Sequence, residues 1–187
     1  MEEQYIYLVF SKTGTWLSRV LNIFLATKYV HSSLSFDSTL QEMYSFGRTN
    51  PNNPFSGGLV KENLRGGVYK KFRESECLIY RIAVTDHQLD HLKKDLAAFL
   101  TEKDKYRYNF LGLFFAFFNK PFKRRHHYFC SQFVSELLIN SHIFELDKVP
   151  ELVKTTDLFQ IENKELVYCG YINQFPIMSE VLSFNNF

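Results

Sequence analysis

The feature that most constrains this chain is a strand that runs directly into a capped helix. Cys77 to Val84 (CLIYRIAV) is β-branched and aromatic enough to predict a strong strand. Thr85 follows at once, and Thr85 with Gln88 has the spacing of a capping box. Leu89, Leu92, Leu96 and Phe99 then form one apolar stripe of a helix running to about Leu100. A strand that turns sharply into a helix demands a sheet with a helical layer on it.

The other segments extend that layout. Tyr5 to Phe10 (YIYLVF) predicts a buried strand, and Thr15 to Lys28 an amphipathic helix with Trp16, Val20, Ile23 and Phe24 on one side. Val30 to Phe36 and Leu40 to Phe46 predict a hairpin across Asp37-Ser38-Thr39. Arg48 to Gly58 is an Asn/Pro/Gly-rich loop able to rim a cleft. Gly67 to Phe72 predicts a short strand, Ser131 to Ile139 a second helix and Leu166 to Phe175 a late strand. Tyr108 to Phe118 is apolar all round, and Lys120 to His127 (KPFKRRHH) is basic. No repeat or low-complexity linker divides the chain. The expectation is one α+β domain over residues 1–187, with a central antiparallel sheet packed against helices.

Composition narrows the function classes. Of the 187 residues, 45% are hydrophobic and 22% charged, so a substantial core forms. A formal net charge of +2 gives no reason to expect nucleic acid as partner. Three cysteines, Cys77, Cys130 and Cys169, form no CxxC pair, which argues against a disulfide framework and a zinc site. No basic leader with an apolar stretch opens the chain, and no run of about 18 apolar residues occurs, so a cytoplasmic location is expected.

Chemistry concentrates in two places. In Tyr128 to Leu138 (YFCSQFVSELL), Cys130 stands where a helix begins, just behind the basic loop. Free N–H groups and the helix dipole there favour a thiolate, the nucleophilic form. Lys123, Arg124 and Arg125 add positive potential if they point that way. Cys77 and Cys169 sit inside strand patterns without flanking charge. In Tyr29 to Phe36 (YVHSSLSF), Leu34 and Phe36 share one strand face, and His31, Ser33 and Ser35 the other. His31 is therefore the candidate general base. His126 and His127 stand too near Cys130 in sequence to face it easily, while His87, His91 and His142 fall on helical patterns.

The segments VHSSLSF and YFCSQFVSELL resemble the permuted papain-like cysteine hydrolases, particularly the YiiX-like amidase branch. The lecithin:retinol acyltransferase relatives share the permuted order. The likeness spans roughly Tyr5 to Ile139. It implies a permuted papain-like fold, Cys130 as nucleophile and His31 as general base. The implied reaction is acyl hydrolysis or transfer at an amide or ester, needing no cofactor or metal. In that family a polar residue on the neighbouring strand, often Glu or His, orients the histidine. Across a two-residue turn at Asp37-Ser38, Tyr44 would lie opposite His31. Glu42 has the same parity nearer the turn, and a one-residue slip would bring Ser45 there instead.

Partners follow from the same residues. The dense apolar block from Phe110 to Phe118 and the cations Lys120, Lys123, Arg124 and Arg125 suit an acyl-lipid substrate or peripheral contact with an anionic membrane. They equally suit a buried helix with a solvated basic loop. A small molecule or peptide is the other substrate class. The competing readings are an idle relative that binds lipid or protein, and a redox-sensing Cys130.

Overall fold

The structure, a computed structural model, describes residues 3–13, 27–50, 52–53 and 56–176. Most of the helix expected over Thr15 to Lys28 lies outside the described residues.

Eight strands and four α-helices are described: β1 (Gln4–Lys12), β2 (His31–Ser35), β3 (Met43–Arg48), β4 (Gly57–Glu62), α1 (Gly67–Lys71), β5 (Glu76–Val84), α2 (Asp86–Thr101), β6 (Arg107–Tyr108), α3 (Phe110–Phe117), β7 (His127–Tyr128), α4 (Cys130–Asn140) and β8 (Lys164–Tyr171). Six strands form one antiparallel sheet in the order β4-β3-β2-β1-β5-β8. The architecture is mixed α and β with an antiparallel centre, as the sequence leads one to expect. β6 and β7 form a separate parallel pair.

Strand β1 is central, and its alternation splits the core in two. Ile6, Leu8 and Phe10 face the larger cluster with Leu92 and Phe99 of α2 and Phe133 and Leu137 of α4. Val9 faces a smaller cluster with Met43, Tyr69, Cys77 and Ile79. The Thr85–Gln88 capping box closes α2 as its spacing predicts.

Three segments differ from expectation. Residues 67–71 form helix α1 rather than a strand, with Tyr69 as its buried anchor. The last strand starts two residues earlier and ends at Tyr171, where residues 172–174 form a 3-10 turn. The Asn/Pro/Gly loop ends before Gly57, which already belongs to β4.

Helix α4 is fixed by aromatic contacts. The Phe133 ring lies 5.1 Å from both Phe46 of β3 and Phe99 of α2, the latter edge-on. Such pairs add about 0.5–1.5 kcal/mol each beyond area burial. Ser131 Oγ donates to Val153 O at 2.7 Å, tying the first turn to the segment that follows. The start of α4 is therefore held against the beginning of β2.

Candidate active site

Cys130 is the first residue of α4, capped by Phe129 without a side-chain hydrogen bond. The first N–H groups of the helix thus remain available around the sulfur. The thiol donates to Val30 O at 3.7 Å, which places it beside the residue preceding His31. His31 opens β2 at the end of the sheet. Its imidazole and the Cys130 sulfur are hydrogen-bonding neighbours. Two residues far apart in the chain meet here, as anticipated.

The imidazole is gripped from its far side. Nε2 lies 3.0 Å from Glu62 Oε1 and 3.1 Å from Oε2. Ser33 Oγ donates to Glu62 Oε2 at 2.6 Å and lies 3.3 Å from the same ring nitrogen. Ser45 Oγ stands 3.4 Å from Nε2. Gly47 makes room for this carboxylate: a Cβ there would lie 2.9 Å from Glu62 Oε1. Beneath, Tyr69 and Ser11 share a buried hydroxyl contact of 3.0 Å.

The charges are mutually dependent. Burial works against a charged His31, but Glu62 and Cys130 outweigh it and hold the imidazolium well above the usual histidine range. Burial also pushes the Cys130 thiol up, yet the hydrogen bond and charge of His31, aided by Ser32, bring it below the ordinary cysteine value. Glu62 is likewise held below the usual carboxylate range despite burial, through His31 and Ser33. The arrangement is a chain of alternating charge: sulfur, imidazole, carboxylate.

Tyr108 adds a neutral donor. The parallel β6–β7 pair sets Tyr108 level with Tyr128, two residues before Cys130, and brings the Tyr108 hydroxyl close enough to the sulfur to interact with it. Burial, then that sulfur, keep the phenol protonated well above its ordinary range. Gly57 permits the close approach, since a Cβ there would fall 2.6 Å from Tyr108 Cβ.

The other candidates separate clearly. Tyr44 pairs with Leu34, not with His31. Its ring packs against Phe36 and its hydroxyl donates to Glu42, so it is no partner of the imidazole. Glu42 is exposed and paired with Lys61. Ser45, reached only by the slipped register, is beside the ring. Lys123 is engaged by Glu151 at 3.4 Å, and the groups that hold the thiol down are His31 and Ser32 rather than the basic loop. His126 packs on Tyr106, and His127 Nδ1 meets Arg125 O at 2.8 Å. His142 lies beyond the end of α4, not on it, with φ at 54°. Cys77 is buried in β5 with its thiol pushed up to about 12.

Sequence patterns do not point to Glu62 or Tyr108. Glu62 ends GGLVKE, whose leading glycines dilute a strand signal, and Tyr108 heads an apolar run dominated by its phenylalanines. Among the described residues no group of three or more His, Cys, Asp or Glu side chains is placed to hold a metal ion. A narrow slot of about 10 Å³ touches Cys130, lined by Val30, Leu113, Phe117, Lys154 and Thr155. It has room for roughly one water. Set against family models, curated proteins and solved structures, the chain matches none.

Proposed function

We propose that the chain is a cysteine-dependent acyl hydrolase or transferase of permuted papain-like fold. One observation carries the reading: a single imidazole touches a sulfur at a helix mouth and a buried carboxylate 3.0 Å away. The nucleophile–base–orienter order is that of a catalytic triad, with the strand histidine preceding the helix cysteine in the chain.

In this mechanism the Cys130 thiolate attacks the carbonyl carbon of an amide or ester. The carbonyl π pair moves to oxygen, which faces the N–H groups at the start of α4 and the Tyr108 hydroxyl. A donor of this kind is worth roughly 3 kcal/mol. The tetrahedral adduct collapses, the C–N or C–O bond breaks, and His31 gives its proton to the leaving amine or alcohol. A thioester remains on Cys130. Neutral His31 then takes a proton from water or another acceptor, which attacks the thioester and frees the thiolate. Glu62 keeps the ring oriented and favours its protonated form throughout.

The test is a panel of acyl esters, acyl amides and short peptides against wild type and Cys130→Ala, with mass mapping of the acyl adduct. The expected result is turnover of at least one class, an acyl group on Cys130, and no turnover in the variant. Activity that survives Cys130→Ala overturns the proposal.

A second reading is favoured by the burial of Cys130, 3% exposed behind a slot one water wide: an idle relative that binds lipid or protein. Iodoacetamide separates the two. Preferential alkylation of Cys130 near neutral pH, lost in His31→Ala, supports the enzyme. Slow labelling independent of His31 supports the binder.

A further inference from the structure

Helix α3 is short, apolar and only partly covered. Gly112 and Ala116 are buried, and Leu113 and Phe117 line the slot beside Cys130. Leu111, Phe114 and Phe118 are 51%, 59% and 55% exposed. Their i, i+3, i+7 spacing puts them on one ridge of the helix and its cap. Phe114 and Phe118 shield each other only partly, with ring centroids 5.1 Å apart. Apolar residues scattered singly over a surface are ordinary, whereas three adjoining ones mark a contact site.

The charge around the ridge selects its occupant. No acidic residue occurs between Lys105 and Ser135, while Lys120, Arg124 and Arg125 follow α3 and are exposed, as is Lys123 beside its partner Glu151. The loop folds back on the helix: Lys120 N–H donates to Phe115 O at 3.0 Å, and Phe122 stacks on Phe115 at 4.9 Å. The cations are thereby kept beside the phenylalanines rather than trailing away. Rings that enter an acyl layer, with lysine and arginine at the level of the headgroups, are the composition of an interfacial membrane contact.

We propose that the α3 ridge and the basic loop after it seat the protein on an anionic lipid bilayer. The proposal is independent of whether Cys130 is a nucleophile. The slot beside Cys130 lies behind the same helix, on the side of Leu113 and Phe117, which faces the protein rather than the bilayer.

Co-sedimentation with vesicles tests it. One set contains roughly one-third phosphatidylglycerol in phosphatidylcholine, and the other phosphatidylcholine alone. The wild-type chain is expected to bind the anionic set about tenfold more tightly, with the difference shrinking as salt rises. Phe114→Ser with Phe118→Ser, and separately Arg124→Glu with Arg125→Glu, should each weaken anionic binding by about tenfold. Cys130→Ala should bind as wild type does, so membrane binding and catalysis stand or fall separately. Circular dichroism checks that each variant is folded. The proposal is overturned by equal affinity for the two vesicle sets or by unaltered binding of both folded variants. It is also overturned if sedimentation velocity finds a wild-type dimer that Phe114→Ser/Phe118→Ser dissociates, because a second copy then covers the ridge.

Discussion

Two cysteines in this molecule are almost equally hidden from water and chemically opposite. Cys77 lies near the start of β5 among Val9, Met43 and Ile79, and its thiol is pushed up to about 12 by burial. Cys130 is 3% exposed, yet its thiol is held below the ordinary value by His31 and Ser32. Exposure therefore does not decide the acidity of the thiol here. What differs is the availability of a partner that gains charge when the sulfur loses its proton. Around Cys77 burial, Cys169 and Glu76 all disfavour the thiolate; at the mouth of α4 the neighbour is an imidazole backed by a carboxylate.

The comparison can be broken by removing the imidazole. His31→Ala should abolish the thiolate absorbance near 240 nm at the pH where wild type shows it and lower turnover by about 10⁴-fold, leaving Cys130 closer to Cys77. A thiolate signal that persists in this variant contradicts the pairing.

Glu62→Gln is next in size. It keeps the shape but removes the charge that holds His31 protonated. A loss of about 10²–10³-fold is expected, and the pH profile should narrow. The sign follows from the two shifts. Cys130 is depressed, so its thiolate is lost as pH falls through the lowered value. His31 is elevated, so its imidazolium is lost as pH rises through the raised value. The ion pair occupies the window between them. Without the Glu62 charge the alkaline limb of kcat/KM should move to lower pH, and an unmoved limb would rule out Glu62 as the source of the elevation.

Tyr108→Phe sharpens the comparison by testing the neutral donor. Turnover should fall about 10²–10³-fold while iodoacetamide still distinguishes Cys130 from Cys77. Gly47→Ala acts at one remove. Its methyl meets Glu62 Oε1, so a several-fold loss with an altered alkaline limb is expected. The smallest effect on turnover belongs to Cys77→Ala. Rate should be unchanged while thermal unfolding reports a loss of about 1 kcal/mol from the small void left in the core.

Much of this arrangement is legible in the residues, and the failures have a common physical origin. Every strand of the central sheet but β4, the capping box at Thr85 and the helix behind Cys130 follow from local periodicity and local hydrogen bonding. His31 and Cys130 stand out because each sits at the start of an element, where a sequence pattern changes. The third member does not, because it depends on register. A two-residue turn would pair His31 with Tyr44, whereas the structure pairs Leu34 with Tyr44 and Ser35 with Met43. The connection is longer, closed by Asp37 Oδ1 accepting from the Thr39 N–H and by Leu40 at φ 53°. An odd shift in register sends Tyr44 to the opposite face and brings Ser45 to the imidazole. Glu62 then arrives from one strand further out, with no local signal to announce it. The half-burial of Phe117 beside the slot and the exposure of Phe114 on the same helix are equally unreadable, since an all-apolar run carries no phase.

The parallel pair β6–β7 has a mechanical consequence. It yokes the chain just before α3 to the chain just before α4, through the Arg107 N–H on His126 O and the Asn109 N–H on Tyr128 O, both at 2.8 Å. Asn109 also caps α3, accepting from the Gly112 N–H at 2.9 Å. Helix α3 thus hangs from a short rigid clasp whose two arms carry Tyr108 and Cys130. A force applied to the helix has no slack segment in which to dissipate at that end. Tilt of the helix therefore bears on both arms, and through them on the backbone of Tyr108 and of Cys130.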